Sequence, residues 1–346
     1  MNETAMHWVG IDVAKGTFDA AVASPGQHAN AATFKQLPVA SFDRTPEGVQ
    51  QFMGWLRKHV PAQHPLPVHA VMEATGVYSI ELAALLCKAC PEVRPAIANP
   101  ERTSAFRKSL GLRNKTDRMD ARALAFFGLE RHPDPYEPLS PSQAELRDLS
   151  RCRDGLIETQ KALENQLGQE GPSPLVRKTL KRIIAATQKS VDAIEKDMKR
   201  VIRCNEGFQR DYDLLTSIPG VGFITAAVVL AEFGDLRRFG CARQIGAHAG
   251  VTACRDESGE RKRPGHMSKK GNAHVRKILY MAAMSASTFN PQMHIVYRRL
   301  IARGKEPMVA LVVIMRKLLV LMRAIVVSGK AFDRCGKPRE RIAQYA

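Results

Sequence analysis

A chain of 346 residues, 45% apolar and 25% charged, is long enough for about two globular domains and has the apolar content to build their cores. That excludes a disordered or collagen-like chain, and 7 cysteines, an odd and low number, exclude a disulfide framework. A net charge of +18, from 52 Lys and Arg against 34 Asp and Glu, suits a polyanionic partner.

The charge is divided along the chain. Residues 1–100 hold 7 Lys/Arg and 8 Asp/Glu, a net −1, so residues 101–346 carry +19. The first part is suited to holding metal and the rest to holding a phosphate backbone. Residues 7–23 (HWVGIDVAKGTFDAAVA) predict a strand ending at Asp12, a turn at Lys15-Gly16 and a second strand through Phe18 to Ala23. Val49, Phe52, Met53 and Leu56 have helical spacing. Residues 67–72 predict a strand ending at Glu73, 79–90 a helix and 93–98 another strand. Cys87 and Cys90 lie on that apolar helix and read as buried packing. Strands alternating with helices indicate an α/β layer fold. A polar helix begins near Thr116.

From about residue 145 the pattern changes. Leu149, Leu156 and Leu163 are seven apart, and after the break at 171–174 comes the row Leu180, Ile184, Thr187, Val191, Ile194, Met198, Val201. Steps alternating between 4 and 3 are the repeat of a coiled coil. It suits either a helical hairpin packed on its own domain or an arm that pairs with a second copy. The expectation is a protruding hairpin engaged in such pairing. The sequence thus divides into 1–144, 145–210 and 211–346. The apolar run 308–327 is interrupted by Arg316, Lys317 and Arg323, so it predicts a buried or amphipathic helix and no membrane contact. The N-terminus lacks a signal-peptide pattern, and a cytoplasmic protein is expected.

Four acids stand out. Asp12 and Glu73 end strands, where an α/β sheet opens its ligand crevice. Asp117 and Asp120, three apart, share one helix face, although acids near a helix start are also favoured for that reason alone. Clustered carboxylates repel, and a hard cation such as Mg2+ removes the repulsion. Asp12, between Ile11 and Val13, needs a partner in any case.

In the basic part, S-I-P-G-V-G opens an apolar helix with Gly220 and Gly222 in a turn resembling a helix-hairpin-helix, a holder of nucleic-acid backbone. Between residues 237 and 276 there are 10 Lys/Arg and 3 Asp/Glu, and the stretch 255–271 reads as a loop. Ser258 there is flanked by Arg255, Arg261, Lys262 and Arg263, and Ser268 by Lys269 and Lys270. Either hydroxyl could act as a nucleophile or as a phosphate donor. Arg113, Lys115, Arg118, Arg122 and Arg276 complete the candidate nucleic-acid contacts.

Taken together, G-I-D-V-A-K around Asp12, E-A-T-G-x-Y at 73–78, L-R-N-K-T-D-x-x-D-A-R at 112–122, S-I-P-G-V-G, A-R-Q…A-G-V at 242–251, E-S-G and S-K-K-G-N make the chain resemble the insertion-sequence-110 family of transposases. The resemblance spans nearly the whole chain. It implies a RuvC-like (ribonuclease-H-like) α/β domain with an Asp-Glu-Asp-Asp set, a coiled-coil arm, and a mostly helical transposase domain. The set falls on Asp12, Glu73, Asp117 and Asp120, and the serine nucleophile on Ser258. Ser268 reads as a phosphate-contacting turn. Also implied are Mg2+, target and donor DNA, a structured non-coding bridge RNA whose loops pair with both, and a dimer or tetramer assembled through the arm. The expected activity is RNA-guided recombination through a phosphoserine link. The alternative is a metal-dependent junction nuclease that uses water.

Overall fold

The computed structural model describes residues 6–28, 31–60, 68–111, 116–169, 173–254, 257–258, 261–262, 266–268 and 270–333. The chain forms two compact units, Met1–Pro138 and Leu139–Ala346.

The first unit runs β1 (Trp8–Val13), β2 (Thr17–Ala23), α1 (Ala31–Gln36), β3 (Val39–Asp43), α2 (Pro46–His59), β4 (Val68–Glu73), α3 (Val77–Ala89), β5 (Val93–Ala98), α4 (Pro100–Ser109) and α5 (Asp117–Arg131). Its five strands lie in the order β3-β2-β1-β4-β5. β1 is antiparallel to β2 and parallel to β4, and β4 is parallel to β5. This is the α/β layer expected, with a mixed sheet. Segments α1, β3 and α4 are too short and too polar to stand out in the pattern.

Side-chain alternation divides the two faces of the sheet. Val9, Ile11, Val13, Phe18, Ala20, Val22, Ala70 and Met72 pack with Phe52 and Leu56 of α2 and Leu82 and Leu86 of α3. The other parity, Trp8, Ala21, Ala23 and Val71, packs with Phe34, Phe106 and Leu124–Phe127 of α1, α4 and α5. α5 lies against β1 itself. Gly10 makes this possible, because a Cβ there would sit 2.0 Å from the Ala121 carbonyl oxygen.

The second unit opens with α6 (Pro141–Gly168) and α7 (Pro174–Arg203). Each starts on a Ser-Pro pair, with Ser140 Oγ accepting from Gln143 N–H at 3.2 Å and Ser173 Oγ from Val176 N–H at 3.4 Å. The two helices pair antiparallel along their length, through Arg153–Glu195 at 2.7 Å, Arg200–Glu145 at 2.9 Å and Gln160–Gln188 at 3.2 Å. The heptad row of α7 faces inward, with Leu180, Val191, Met198 and Val201 buried. The row read as a contact to another copy is therefore occupied within the chain. A sequence shows the period of an apolar stripe and not which helix covers it.

Then come α8 (Glu206–Thr216), α9 (Phe223–Phe233), α10 (Ala242–Ala249), the two-residue strands β6 (Ala253–Cys254), β7 (Glu257–Ser258), β8 (Arg261–Lys262) and β9 (His266–Met267), and helices α11 (Ala273–Phe289), α12 (Pro291–Ala302) and α13 (Pro307–Ser328). α9 is buried from Thr225 to Phe233 and is the axis of a core shared with α11 and α13. α13 covers the apolar run 308–327, burying Leu311, Ile314, Met315, Leu318, Leu319, Met322 and Ile325. Its Arg323 is explained locally, donating to the carbonyls of Phe239 at 2.7 Å and Gly240 at 3.2 Å. Among the described residues, no helix is long and apolar enough to cross a membrane.

Candidate active site

The parity that separates the sheet faces also gathers acids. Asp12 follows Trp8 and Gly10, and Glu73 follows His69 and Val71, so both fall on the face covered by α5. The first turn of α5 adds Asp117 and Asp120, capped by Thr116, whose Oγ1 accepts from Met119 N–H at 3.3 Å. A further acid, Asp19, stands opposite Asp12 in the β1–β2 register. Like charges directly opposed across strands are destabilising. The turn at Lys15-Gly16 already implied this partner, since a hairpin centred there sets Asp12 against Asp19.

The electrostatics follow. Burial first, then the charges of Asp120, Asp117, Glu73 and Asp19, push the Asp12 carboxyl up to about 6. Partial compensation comes from Arg107, whose Nη1 lies 2.6 Å from Asp120 Oδ1. Thr103 Oγ1 donates to Glu73 Oε2 at 3.2 Å. Glu73, Thr103, Arg107, Asp120 and Phe127 line a cavity of about 180 Å³. Arg107 and Thr103, from α4, carry no sequence signal that would have singled them out.

Among the described residues, no three His, Cys, Asp or Glu side chains converge closely enough to hold one ion. The donor set still fits a hard divalent cation. It is all carboxylate, and its crowding raises the affinity of Asp12 for a proton, a repulsion a divalent cation would relieve once Asp120 exchanged Arg107 for it.

The raised Asp12 pKa makes a stability statement. Between about pH 4 and pH 6 the folded state binds the Asp12 proton more tightly than the unfolded chain does. Stability therefore falls as pH rises through that window, and the full penalty is present above it. Asp12→Asn removes the penalty. With solvent screening of this half-buried group, the variant should be more stable than the parent by about 1–2 kcal/mol at pH 7.5. The two should converge below pH 4 in urea denaturation. A variant no more stable at pH 7.5 would refute the electrostatic account.

In the second unit, Ser258 ends β7 and pairs with Arg261 of β8. β6 pairs with β9 around this ladder. The stretch expected to be a loop thus holds two short ladders, too brief to show a period. Ser258, Arg261 and Lys262 are described by backbone alone, and Arg113, Lys115, Arg255, Arg263 and Lys269 lie outside the described residues. Ser268 N–H donates to the Thr252 carbonyl at 2.9 Å, and its Oγ accepts from Lys270 N–H at 3.2 Å. Arg276 Nη1 donates to the carbonyls of Gly271 at 2.6 Å and Ala249 at 3.3 Å, tying this segment to the end of α10. Gly220 takes φ +96° and meets the backbone of Ala286 in α11. Gly222, the residue before α9, is exposed. Arg122 donates to the Leu37 carbonyl at 3.3 Å, and Arg118 is exposed.

The segment after Ser268 is anchored on Glu232. This buried carboxylate receives Arg151 of α6 at 2.8 and 3.0 Å and Asn272 Nδ2 at 2.7 Å. Burial alone would raise its pKa, but the Arg151 contacts outweigh that and hold it below the ordinary range. An acid inside the apolar run of α9 was the available signal. Beside it, Ser150 Oγ lies 2.9 Å from His274 Nε2, and His274 Nδ1 lies 3.0 Å from Asp154 Oδ2. The connectivity is that of a hydrolase triad, but Ser150 is 1% exposed and reaches no substrate. It holds α11 to α6.

The geometry thus defines a protein with a carboxylate-lined crevice on one unit and a basic, serine-bearing segment on the other. Family models agree. One for the DEDD type of IS110 transposase, described as "Transposase", matches residues 9–169, and one for the transposase IS116/IS110/IS902 family matches residues 212–298. The pilin gene-inverting protein of Moraxella bovis is 27% identical over 94% of this chain and 98% of its own length. The transposase for insertion sequence element IS1111A of Coxiella burnetii is 27% identical over 54% of this chain and 58% of its own. A solved chain of T. thermophilus RuvC in complex with a Holliday junction substrate matches 38% of this chain and 99% of its own at 15% identity, with a TM-score of 0.27. The chain belongs to the IS110 family of transposases and is an enzyme of DNA recombination.

Proposed function

We propose that this transposase cuts and rejoins DNA using Ser258 as nucleophile and Mg2+ held by Asp12, Glu73, Asp117 and Asp120, at sites chosen by a structured bridge RNA. The gathering of these four acids on the α5 face of one sheet carries the reading. Mg2+ in such a set would neutralise charge on the scissile phosphate and the leaving oxygen.

The serine step is a transesterification. Ser258 Oγ forms a bond to phosphorus, the P–O bond to one DNA end breaks, and the hydroxyl proton ends on the departing oxygen. The phosphodiester bond energy stays in the Oγ–P link, so a hydroxyl from another strand can reseal it without ATP. No G-x-x-x-x-G-K-[ST] loop for ATP stands in the sequence. Gene inversion, which the name of the Moraxella bovis relative states, also requires that DNA be cut and rejoined. Guidance by RNA is supported by the +19 of residues 101–346 with only 6% aromatics, which suits backbone and shape contacts more than stacking on bases. Assembly into a dimer or tetramer belongs to the same reading. Leu175, Val176 and Ile183, exposed near the start of α7, are the available apolar contacts there.

Ser258→Ala should abolish the denaturant-resistant protein–DNA adduct and lower strand exchange on the order of 10³-fold or more, while DNA binding persists. Mg2+ should raise the melting temperature of the parent and not of Asp12→Asn. Survival of the adduct would remove Ser258 from its role. Free cut ends with no adduct in the parent would instead support the water-dependent nuclease.

A further inference from the structure

We infer that the outer ridge of α7 is a binding site for the phosphate backbone of duplex nucleic acid. The two helices of the hairpin differ sharply in charge. α6 has 4 Lys/Arg and 5 Asp/Glu, a net −1, whereas α7 has 9 Lys/Arg and 3 Asp/Glu, a net +6. Within α7 the cations are ordered. Its inward seam is the heptad row 180, 184, 187, 191, 194, 198, 201. The position farthest from that seam holds Arg182, Lys189, Lys196 and Arg203, each seven residues after the last and all exposed.

None of the four has an ion-pair partner among the described residues, in contrast with their neighbours. Arg200 is held by Glu145 and Asp197, and Lys199 lies over the Phe223 ring. The three acids of the helix are engaged as well. Glu195 meets Arg153 of α6, Asp197 meets Arg200, and Asp192 accepts from Gln188. An ordinary solvated helix face mixes both signs in pairs three or four residues apart. The ridge positions themselves have one sign throughout, and Asp192, the acid three residues from Lys189 and four from Lys196, accepts from Gln188 and forms no ion pair with either among the described residues.

Its dimensions suit a duplex. At 1.5 Å per residue the cations recur about every 10.5 Å and the ladder spans about 31 Å. One turn of B-form DNA is about 34 Å. The spacing exceeds the Debye length of about 8 Å at physiological salt, so the four charges repel one another little in the free protein. Each can still meet a separate phosphate. α7 contains no Phe, Tyr or Trp, so it lacks the stacking platforms that single strands require. The inference rests on the recombinase reading only for the presence of nucleic acid, and it assigns the hairpin a role apart from the cutting chemistry.

The test compares the full chain with R182Q/K189Q/K196Q/R203Q, and with K35Q/K58Q/K88Q/R131Q, which removes four exposed cations of the first unit. Labelled 24-base-pair DNA and RNA duplexes are titrated by fluorescence anisotropy across a potassium chloride series. The ridge variant should lower the slope of log K against log salt by about 3–4 and weaken binding about tenfold or more at 150 mM salt. Its melting temperature should match the parent, since glutamine sustains an exposed helix. Loss on RNA alone assigns the ridge to an RNA stem, loss on DNA alone assigns it to DNA, and loss on both supports a site for the duplex phosphate backbone of either. A ridge variant that binds like the parent, or that loses no more than the control variant, overturns the inference and leaves the serine chemistry untouched. A parent that binds neither duplex overturns both.

Discussion

Replacing Gly10 by Ala should unfold the first unit or force α5 off the sheet. A Cβ at this position would lie 2.0 Å from the Ala121 carbonyl oxygen and 2.1 Å from Ala125 N. Both are backbone atoms of a helix buried on its sheet-facing side, so no side-chain rotation relieves the clash. Overpacking a core commonly costs about 1–3 kcal/mol, and a helix displaced bodily belongs at or beyond the top of that range. The same displacement carries Asp117 and Asp120 away from Asp12, so recombination should fall with stability. Gly16→Ala is the control, because a Cβ there meets nothing within 4 Å. Urea denaturation and limited proteolysis check the pair. A Gly10→Ala chain as stable as Gly16→Ala would show that α5 does not seat on β1 as described.

Glu232→Ala should strongly destabilise the second unit. The carboxylate side chain is 3% exposed and joins Arg151 of α6 to Asn272, the residue that caps α11. Removing it leaves the guanidinium without its partner, a loss of about 3–5 kcal/mol for a buried pair; Arg151 is itself half-exposed, which puts the expectation at the lower end. The depressed pKa of Glu232 fixes the sign of the pH dependence. Its contribution is present above the ordinary glutamate value of about 4.5 and is lost as pH falls through the lower folded-state value. The gap between parent and variant should therefore narrow in acid. Chemical denaturation at pH 7 and pH 3 reads both effects. Because Asn272 closes the segment that follows the Ser258 ladder, strand exchange should also decline where the protein remains folded. A stability change under about 1 kcal/mol at pH 7 would mean that Glu232 is not the anchor of this segment.

Much of the first unit was legible because its strands are short apolar runs with clear breaks. Asp12 stood out as an acid between Ile11 and Val13, and Glu73 as an acid at a strand end. Asp19 escaped notice although the Lys15-Gly16 turn already set it opposite Asp12. Arg107 and Thr103 could not be found, since their relevance comes from where α4 lies beside α5, a long-range relation without a local pattern. The short ladders around Ser258 were read as loop because two residues cannot display an alternation.

What the chain's own order determines is local and periodic: alternating strands, the 4-3 row of α7, the positions of acids and cations along each element, and the motifs that mark the IS110 family. Those follow from rules that act within a few residues. Which face of the sheet α5 covers, that the α7 row turns inward against α6 and leaves its cations outside, and that Glu232 has Arg151 as its partner were decided only by tertiary packing. Burial and electrostatic coupling depend on neighbours far apart in sequence, and no local period encodes them.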